Sequence, residues 1–174
     1  MAIDGIKTRI TGSSSKNGYL WYADIEEKLD DKYLETNKST INYVVYIQNQ
    51  GKRFSTNGWK KKTSVDGNPV WEEDNANITT TLVGYNDAVG IMSGSKEIEH
   101  DADGSRSIWF EAYISKASYG TYDPGWCYLN EKITLTTIPR ASSVTATSGN
   151  IEENIIININ RASDSFRHTL VYSF

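Results

Sequence analysis

The sequence predicts an all-β fold, an antiparallel β-sandwich of jelly-roll type, and three observations predict it. The first is composition. Of 174 residues, 18 are Ile and only 7 are Leu; 18 are Ser, 16 Thr, 11 Tyr and 5 Trp. β-branched and aromatic side chains suit the pleated, half-buried surface of a strand, and the usual helix formers do not dominate. The second is periodicity. Apolar residues recur at alternate positions, and no segment longer than a few residues keeps a 3.6 period. The third is spacing: short strands separated by turn signals at intervals of roughly 10–20 residues fit a sandwich rather than a βαβ fold.

Each element follows from local pattern. Residues 6–11 open the first sheet. Residues 19–29 alternate, with Tyr19, Trp21, Ala23 and Ile25 on one side and Leu20, Tyr22, Asp24 and Glu26 on the other. Residues 25–35 are the best helical candidate by composition, but read as a strand end followed by a charged turn. Residues 40–48 alternate as Ile41, Tyr43, Val45 and Ile47 against Asn42, Val44, Tyr46 and Gln48. Residues 49–69 and 84–94, rich in Gly, Asn, Ser and Asp, read as long loops, the usual home of binding groups on a sandwich. Lys60, Lys61 and Lys62 read as a solvated hairpin end. Residues 78–83 form a further strand. Asp66-Gly67 and Asp103-Gly104 mark turns, because Gly tolerates positive φ; the second is expected at the tip of a hairpin between 96–100 and 107–115. Residues 126–138 make the last strand of the domain.

A boundary falls where Pro139 follows an apolar strand and ends ladder pairing. Residues 1–138 are therefore expected to form an N-terminal β-sandwich domain. Residues 139–174 are expected to hold a linker and the first strands of a second, Ig-like β module. About 35 residues are too few for an independent sandwich, so the chain is expected to be a fragment of a longer polypeptide.

Several function classes lose support. One cysteine, Cys127, makes neither an internal disulfide nor a thiolate cluster, and it reads as a small buried strand residue. Two histidines, His100 and His168, leave little for a His-based metal site or a Ser/His dyad. No apolar run approaches the ~20 residues of a membrane-spanning helix, and residues 1–10 lack the apolar core of a signal peptide. A net charge of −4 gives no nucleic-acid footprint.

Catalytic and metal motifs are also missing. The carboxylate doublets, such as Glu26/Glu27 and Glu72/Glu73, alternate across a strand and so point to opposite faces. Paired hydrolase carboxyls must instead face each other across a cleft. The Gly-x-Ser-x-Gly elbow is absent. Asp101-Ala102-Asp103-Gly104-Ser105 starts like a calcium loop but lacks the later ligands. No catalytic residue, metal or cofactor is expected.

The aromatic residues are what composition leaves to explain. Sugars present C–H faces that stack on aromatic rings, and Tyr and Trp add a polar edge. Residues 119–126 place Tyr119, Tyr122, Asp123 and Trp126 in one loop. Trp59 and Trp71 bracket the long loop between the second and third strands. Trp59, Tyr119, Tyr122, Asp123 and Trp126 are the candidate glycan-binding residues. Trp21 and Trp109 sit in regular alternation and are expected in the core. Tyr22, Val44 and Tyr46 lie opposite the core stripe, where they pack on a second sheet or meet another chain.

Two stretches carry a family resemblance. Thr137-Ile138-Pro139-Arg140-Ala141-Ser142-Ser143-Val144, with residues 156–160 (IININ), Arg161-Ala162-Ser163 and Phe166-Arg167-His168-Thr169-Leu170, resembles structural proteins of tailed phages. These come from siphophages and prophages of Gram-positive hosts. Ile98-Glu99-His100-Asp101-Ala102-Asp103-Gly104-Ser105, followed by residues 108–112 (IWFEA), is similar to hairpins of the same proteins. The resemblance implies a virion component made in the host cytoplasm: a tail fibre, baseplate appendage or receptor-binding protein of serial β-sandwich modules. It makes a homotrimer and contacts with other tail or baseplate proteins plausible, and it brings no catalytic residues. The expected function is non-enzymatic adhesion to host cell-surface polysaccharide together with tail assembly. The alternatives are a purely architectural spacer or oligomerisation module, and a glycan-degrading tail enzyme.

Overall fold

The computed structural model describes residues 5–50, 56–78, 85–116, 124–140, 143–147 and 156–160. The elements run β1 (Lys7–Ser14), β2 (Tyr19–Lys28), α1 (Tyr33–Thr36), β3 (Lys38–Asn49), β4 (Thr56–Val65), β5 (Asn68–Ile78), β6 (Ala88–Glu99), β7 (Ser107–Ser115), β8 (Cys127–Thr134), β9 (Ser143–Thr147) and β10 (Ile156–Asn160). The all-β, antiparallel expectation holds. The two-sheet arrangement gives way to one continuous sheet of eight strands, in the order β5-β4-β7-β8-β1-β2-β3-β6. Its end strands β5 and β6 come into contact, so the sheet curls into a nearly closed barrel. β9 and β10 form a separate two-stranded sheet within the region expected to start a second module.

β1 makes the curl possible. Residues Lys7 to Gly12 pair with β2, and Ser13 and Ser14 pair with β8. At the changeover, a Cβ on Gly12 would strike the backbone oxygen of Tyr128 and the Cβ of Leu129 at 2.8 Å. Only glycine lets β8 come this close. Across the barrel, Lys61 spans the seam. Its ammonium meets Glu73 at 2.9 Å and donates to the carbonyl of Ile91 on β6 at 3.3 Å.

The alternation predicted for β2 and β3 sets the core. Trp21, Ala23, Ile25, Ile41, Tyr43, Val45 and Ile47 are all buried, joined by Ile108, Phe110, Ala112, Ile114 and Leu129. Tyr43 meets Phe110 edge-on, centroids 5.0 Å apart, and its hydroxyl bonds Thr63 at 2.5 Å. A buried Tyr needs such a partner. Cys127 is buried as expected, and burial pushes its thiol up to about 12.

Several expectations change. The stretch 49–69 is not one long loop, because residues 56–65 are β4, and Lys60 to Lys62 lie within it rather than at a hairpin end. Its alternation is hidden because Lys61 and Thr63 share the inward face with Trp59 and Val65. Much of 84–94 belongs to β6. Asp66 and Gly67, with φ of 50° and 75°, do make a tight hairpin turn between β4 and β5. The Asp101–Gly104 turn joins β6 to β7, but those strands are not neighbours, so it is a crossover and not a hairpin tip. The charged segment after β2 includes the single turn α1. Of the strand expected at 78–83, Ile78 ends β5 and the rest lies outside the described residues.

Candidate functional site

Cross-strand register decides which outward side chains share a surface. On β4, β7 and β8 the partners are Lys60 with Ser115, Lys62 with Tyr113, and Ser64 with Glu111. Tyr113 in turn faces Tyr128, Glu111 faces Asn130, and Trp109 faces Lys132. These residues stand on the side opposite the core. Strands lie about 4.8 Å apart and successive outward residues about 6.8 Å apart. The face is therefore a regular grid: a row of Lys62, Tyr113 and Tyr128, then Ser64, Glu111 and Asn130, then Trp109 and Lys132.

Three aromatic rings stand open on this grid. Trp109 is 51% exposed, Trp126 48% and Tyr128 41%, and Tyr113 is half-buried among them. Trp109 was expected in the core from its place in an alternating strand. It falls on the outward phase of β7, whose pattern buries Ile108, Phe110, Ala112 and Ile114 instead. Trp126 sits just before β8 and is anchored to the end of β1. Its N–H donates to Ser15 Oγ at 3.0 Å, and its carbonyl accepts from the Ser15 N–H at 2.8 Å.

The centre of the grid is polar. The Glu111 carboxylate accepts from Ser64 Oγ and from the Tyr128 hydroxyl, each at 3.3 Å. Asn130 Nδ2 donates to the same Tyr128 oxygen at 3.1 Å. Lys60 pairs with Asp74 at 3.4 Å. Lys62 and Lys132 make no ion pair among the described residues.

Of the glycan-binding residues predicted from sequence, Trp126 lies on this face. Trp59 does not: it is 0% exposed, inside the barrel on β4. A ring sealed in the core cannot stack on a surface ligand, so Trp59 is withdrawn from the site. Tyr119, Tyr122 and Asp123 lie outside the described residues. Sequence reasoning missed Tyr113, Tyr128 and Glu111. The signal was available, because outward positions of two strands that pair in register would have aligned them; the pairing itself was not.

Two other places have chemistry. One hollow, of about 530 Å³, lies over β1, β2 and β3 and is lined by Lys7, Arg9, Asp24, Glu26, Asn42 and Val44 among others. Its charges are mutually paired, Lys7 with Glu26 at 2.8 Å and Arg9 with Asp24 at 2.5 Å. The second place is a buried polar cluster. His100 Nδ1 donates to the Gly104 carbonyl at 3.0 Å, and Nε2 meets Ser39 Oγ at 2.8 Å. Glu27 Oε1 lies 3.7 Å from the same nitrogen. The pairing looks like a nucleophile and base, but Ser39, His100 and Glu27 are all buried beyond reach of a substrate. Glu27 Oε2 accepts the N–H groups of Ile6 and Thr136 at 3.3 and 2.9 Å. The cluster thus staples the segments just before β1 and just after β8.

Fold and surface together define a small β-barrel module with an aromatic and polar outer face. The chain belongs to the family described as siphovirus protein of unknown function (DUF859), which matches residues 12–174. It is therefore a protein of tailed-phage type, in agreement with the resemblance read from its sequence. No curated protein and no solved structure matches it.

Proposed function

We propose that this chain is a tail or baseplate module of the virion that adheres to host cell-surface polysaccharide without chemical change to it. The contact surface is the outer face of β4, β7 and β8. The observation that carries this reading is the set of open rings around a polar centre, Trp109 and Tyr128 on paired strands and Trp126 just before β8. Rigid aromatic side chains lose little conformational freedom on binding, and sheet-mounted sites hold their geometry better than loops. Tyr119, Tyr122 and Asp123, which precede Trp126 by three to seven positions in the sequence, are proposed to contact the same polysaccharide. Homotrimer formation and docking to other tail proteins belong to the same proposal.

The test is binding of the purified protein to host cells and to a glycan array. Trp109→Ala combined with Tyr128→Ala should weaken binding about 100-fold, the scale of two hot-spot residues. The barrel should keep its unfolding midpoint. Unchanged binding removes this face from the function. A stable trimer by light scattering with no affinity for cells or glycans would instead favour a purely architectural module, because open aromatics are also common at protein interfaces.

A further inference from the structure

We infer that Glu111 is the specificity-determining group of the aromatic face and that it selects sugars carrying a vicinal diol. This rests on the glycan-binding reading above and adds the chemistry of the ligand.

Each carboxylate oxygen offers two acceptor positions. Oε1 spends one on Ser64 Oγ and Oε2 spends one on the Tyr128 hydroxyl. One acceptor position on each oxygen remains. The carboxylate is held in place from both flanks: Ser64 comes from β4, Tyr128 from β8, and the Tyr128 oxygen is itself fixed by Asn130. Chained hydrogen bonds of this kind polarise one another and hold their members in register. A fixed pair of neighbouring acceptors matches two neighbouring hydroxyl donors on a sugar ring.

The surroundings favour the same ligand. Trp109 and Tyr113 flank Glu111 along β7, so a ring held by its hydroxyls lies beside aromatic faces. No cation bonds the Glu111 carboxylate among the described residues. The contrast lies on the same barrel, where Asp24 is bonded by both Arg9 nitrogens at 2.5 and 2.7 Å and Glu26 is bonded by Lys7. Those carboxylates have their charge paired with a cation of the chain, whereas Glu111 is bonded only by the neutral hydroxyls of Ser64 and Tyr128. Charge-assisted hydrogen bonds from hydroxyls to such a group are the stronger kind. An exposed hydrophobic strip alone would bind rings with little discrimination; the carboxylate supplies the choice.

The experiment compares binding to native host wall polysaccharide and to the same polysaccharide oxidised with periodate and then reduced with borohydride. Periodate cleaves the carbon–carbon bond between vicinal hydroxyls and leaves isolated ones intact. Periodate treatment should weaken binding at least tenfold. Glu111→Gln, which keeps shape but turns one acceptor into a donor, should do the same on native glycan. The two losses should not add, because each removes the same contact. If Glu111→Gln binds like the parent, or if oxidised glycan binds unchanged while Trp109→Ala with Tyr128→Ala still fails, the diol assignment is overturned and the aromatic face stands. If the parent protein ignores native glycan but captures a protein whose arginine substitution abolishes capture, the Glu111 acceptors serve a guanidinium, and the inference is overturned along with the glycan reading.

Discussion

The barrel wears two aromatic outer faces that differ in how their groups are satisfied. On β1, β2, β3 and β6, Arg9 lies 4.2 Å over the Tyr22 ring, and Tyr22 stacks on Tyr46 at 5.0 Å with an 18° tilt. Tyr46 lies beside Gly90, where a Cβ would crowd Val44 at 2.9 Å and approach the Tyr46 ring at 3.5 Å. The result is a self-covered strip in which Tyr22 is only 5% exposed although it points away from the core. On β4, β7 and β8, Trp109, Tyr128 and Trp126 stand open. Outward aromatics therefore have two uses, and cross-strand neighbours decide between them. A cation and a second ring across the ladder close the first face. Lysine opposite Trp109 and tyrosine opposite tyrosine leave the second face available.

The largest test of this contrast exchanges stability for binding. Tyr22→Ala should cost about 3 kcal/mol, because a buried ring is lost along with its stack on Tyr46. Glycan binding should not change. Trp109→Ala should cost under about 1 kcal/mol, the usual range for an exposed position, and should weaken binding. Urea unfolding measures the first effect and cell binding the second. Equal stability costs for the two substitutions would erase the distinction between the faces.

The sequence read well where one residue's pattern is enough. Alternation in 19–29 and 40–48 identified β2 and β3 and their buried sides correctly, because one side of each carries an unbroken apolar series, Trp21, Ala23 and Ile25 and then Ile41, Tyr43, Val45 and Ile47. The Asp66-Gly67 turn was equally legible, since its backbone requires positive φ. β4 was hidden because its inward face carries a lysine whose partners, Glu73, the Trp71 ring and the Ile91 carbonyl, all lie on other strands. Trp109 was misassigned because an alternating strand shows two faces and not which one is inside. Tyr128 and Glu111 became a site only through the register of β7 on β8, which joins residues 17 positions apart. Long-range pairing of this kind leaves no mark in a local window, so the barrel and its open aromatic face were the least legible parts.

Alkaline pH sharpens the comparison at an intermediate scale. Cys127 lies between Trp126 and Tyr128 in sequence but faces inward beneath the open face, and burial raises its thiol from 9.0 to about 12. Burial also raises the Tyr22 hydroxyl on the covered face. For a raised acid the folded state favours the neutral form. Below about pH 9 both folded and unfolded thiols are neutral and nothing is lost. Above it the unfolded thiol ionises first, so stability falls as pH climbs from about 9 to about 12. Urea midpoints over this range should show the fall, and Cys127→Ala should flatten part of it while leaving the Tyr22 share. A disulfide reagent at neutral pH should label Cys127 only as the protein unfolds. Rapid labelling of the native protein would mean that the sheet beneath the open face opens on its own.

The smallest expected effect concerns the charge that caps the covered face. Arg9 bonds Asp24 through two nitrogens and lies over Tyr22, yet it remains exposed to water. Its guanidinium is held above its ordinary pKa mainly by the hydrogen bond to Asp24. Exposed pairs add little to stability, because solvent screens them and the long side chains must be ordered. Arg9→Gln should therefore move the urea midpoint only to the edge of detection, and the shift should disappear in about 1 M salt. What it should change is access. With the cap gone, the Tyr22 ring opens to solvent, and tyrosine nitration or iodination at that position should rise. If Arg9→Gln instead gave the covered face glycan affinity, the cap would be what separates the two faces. If Tyr22 stayed protected, the stack with Tyr46 would be sufficient by itself.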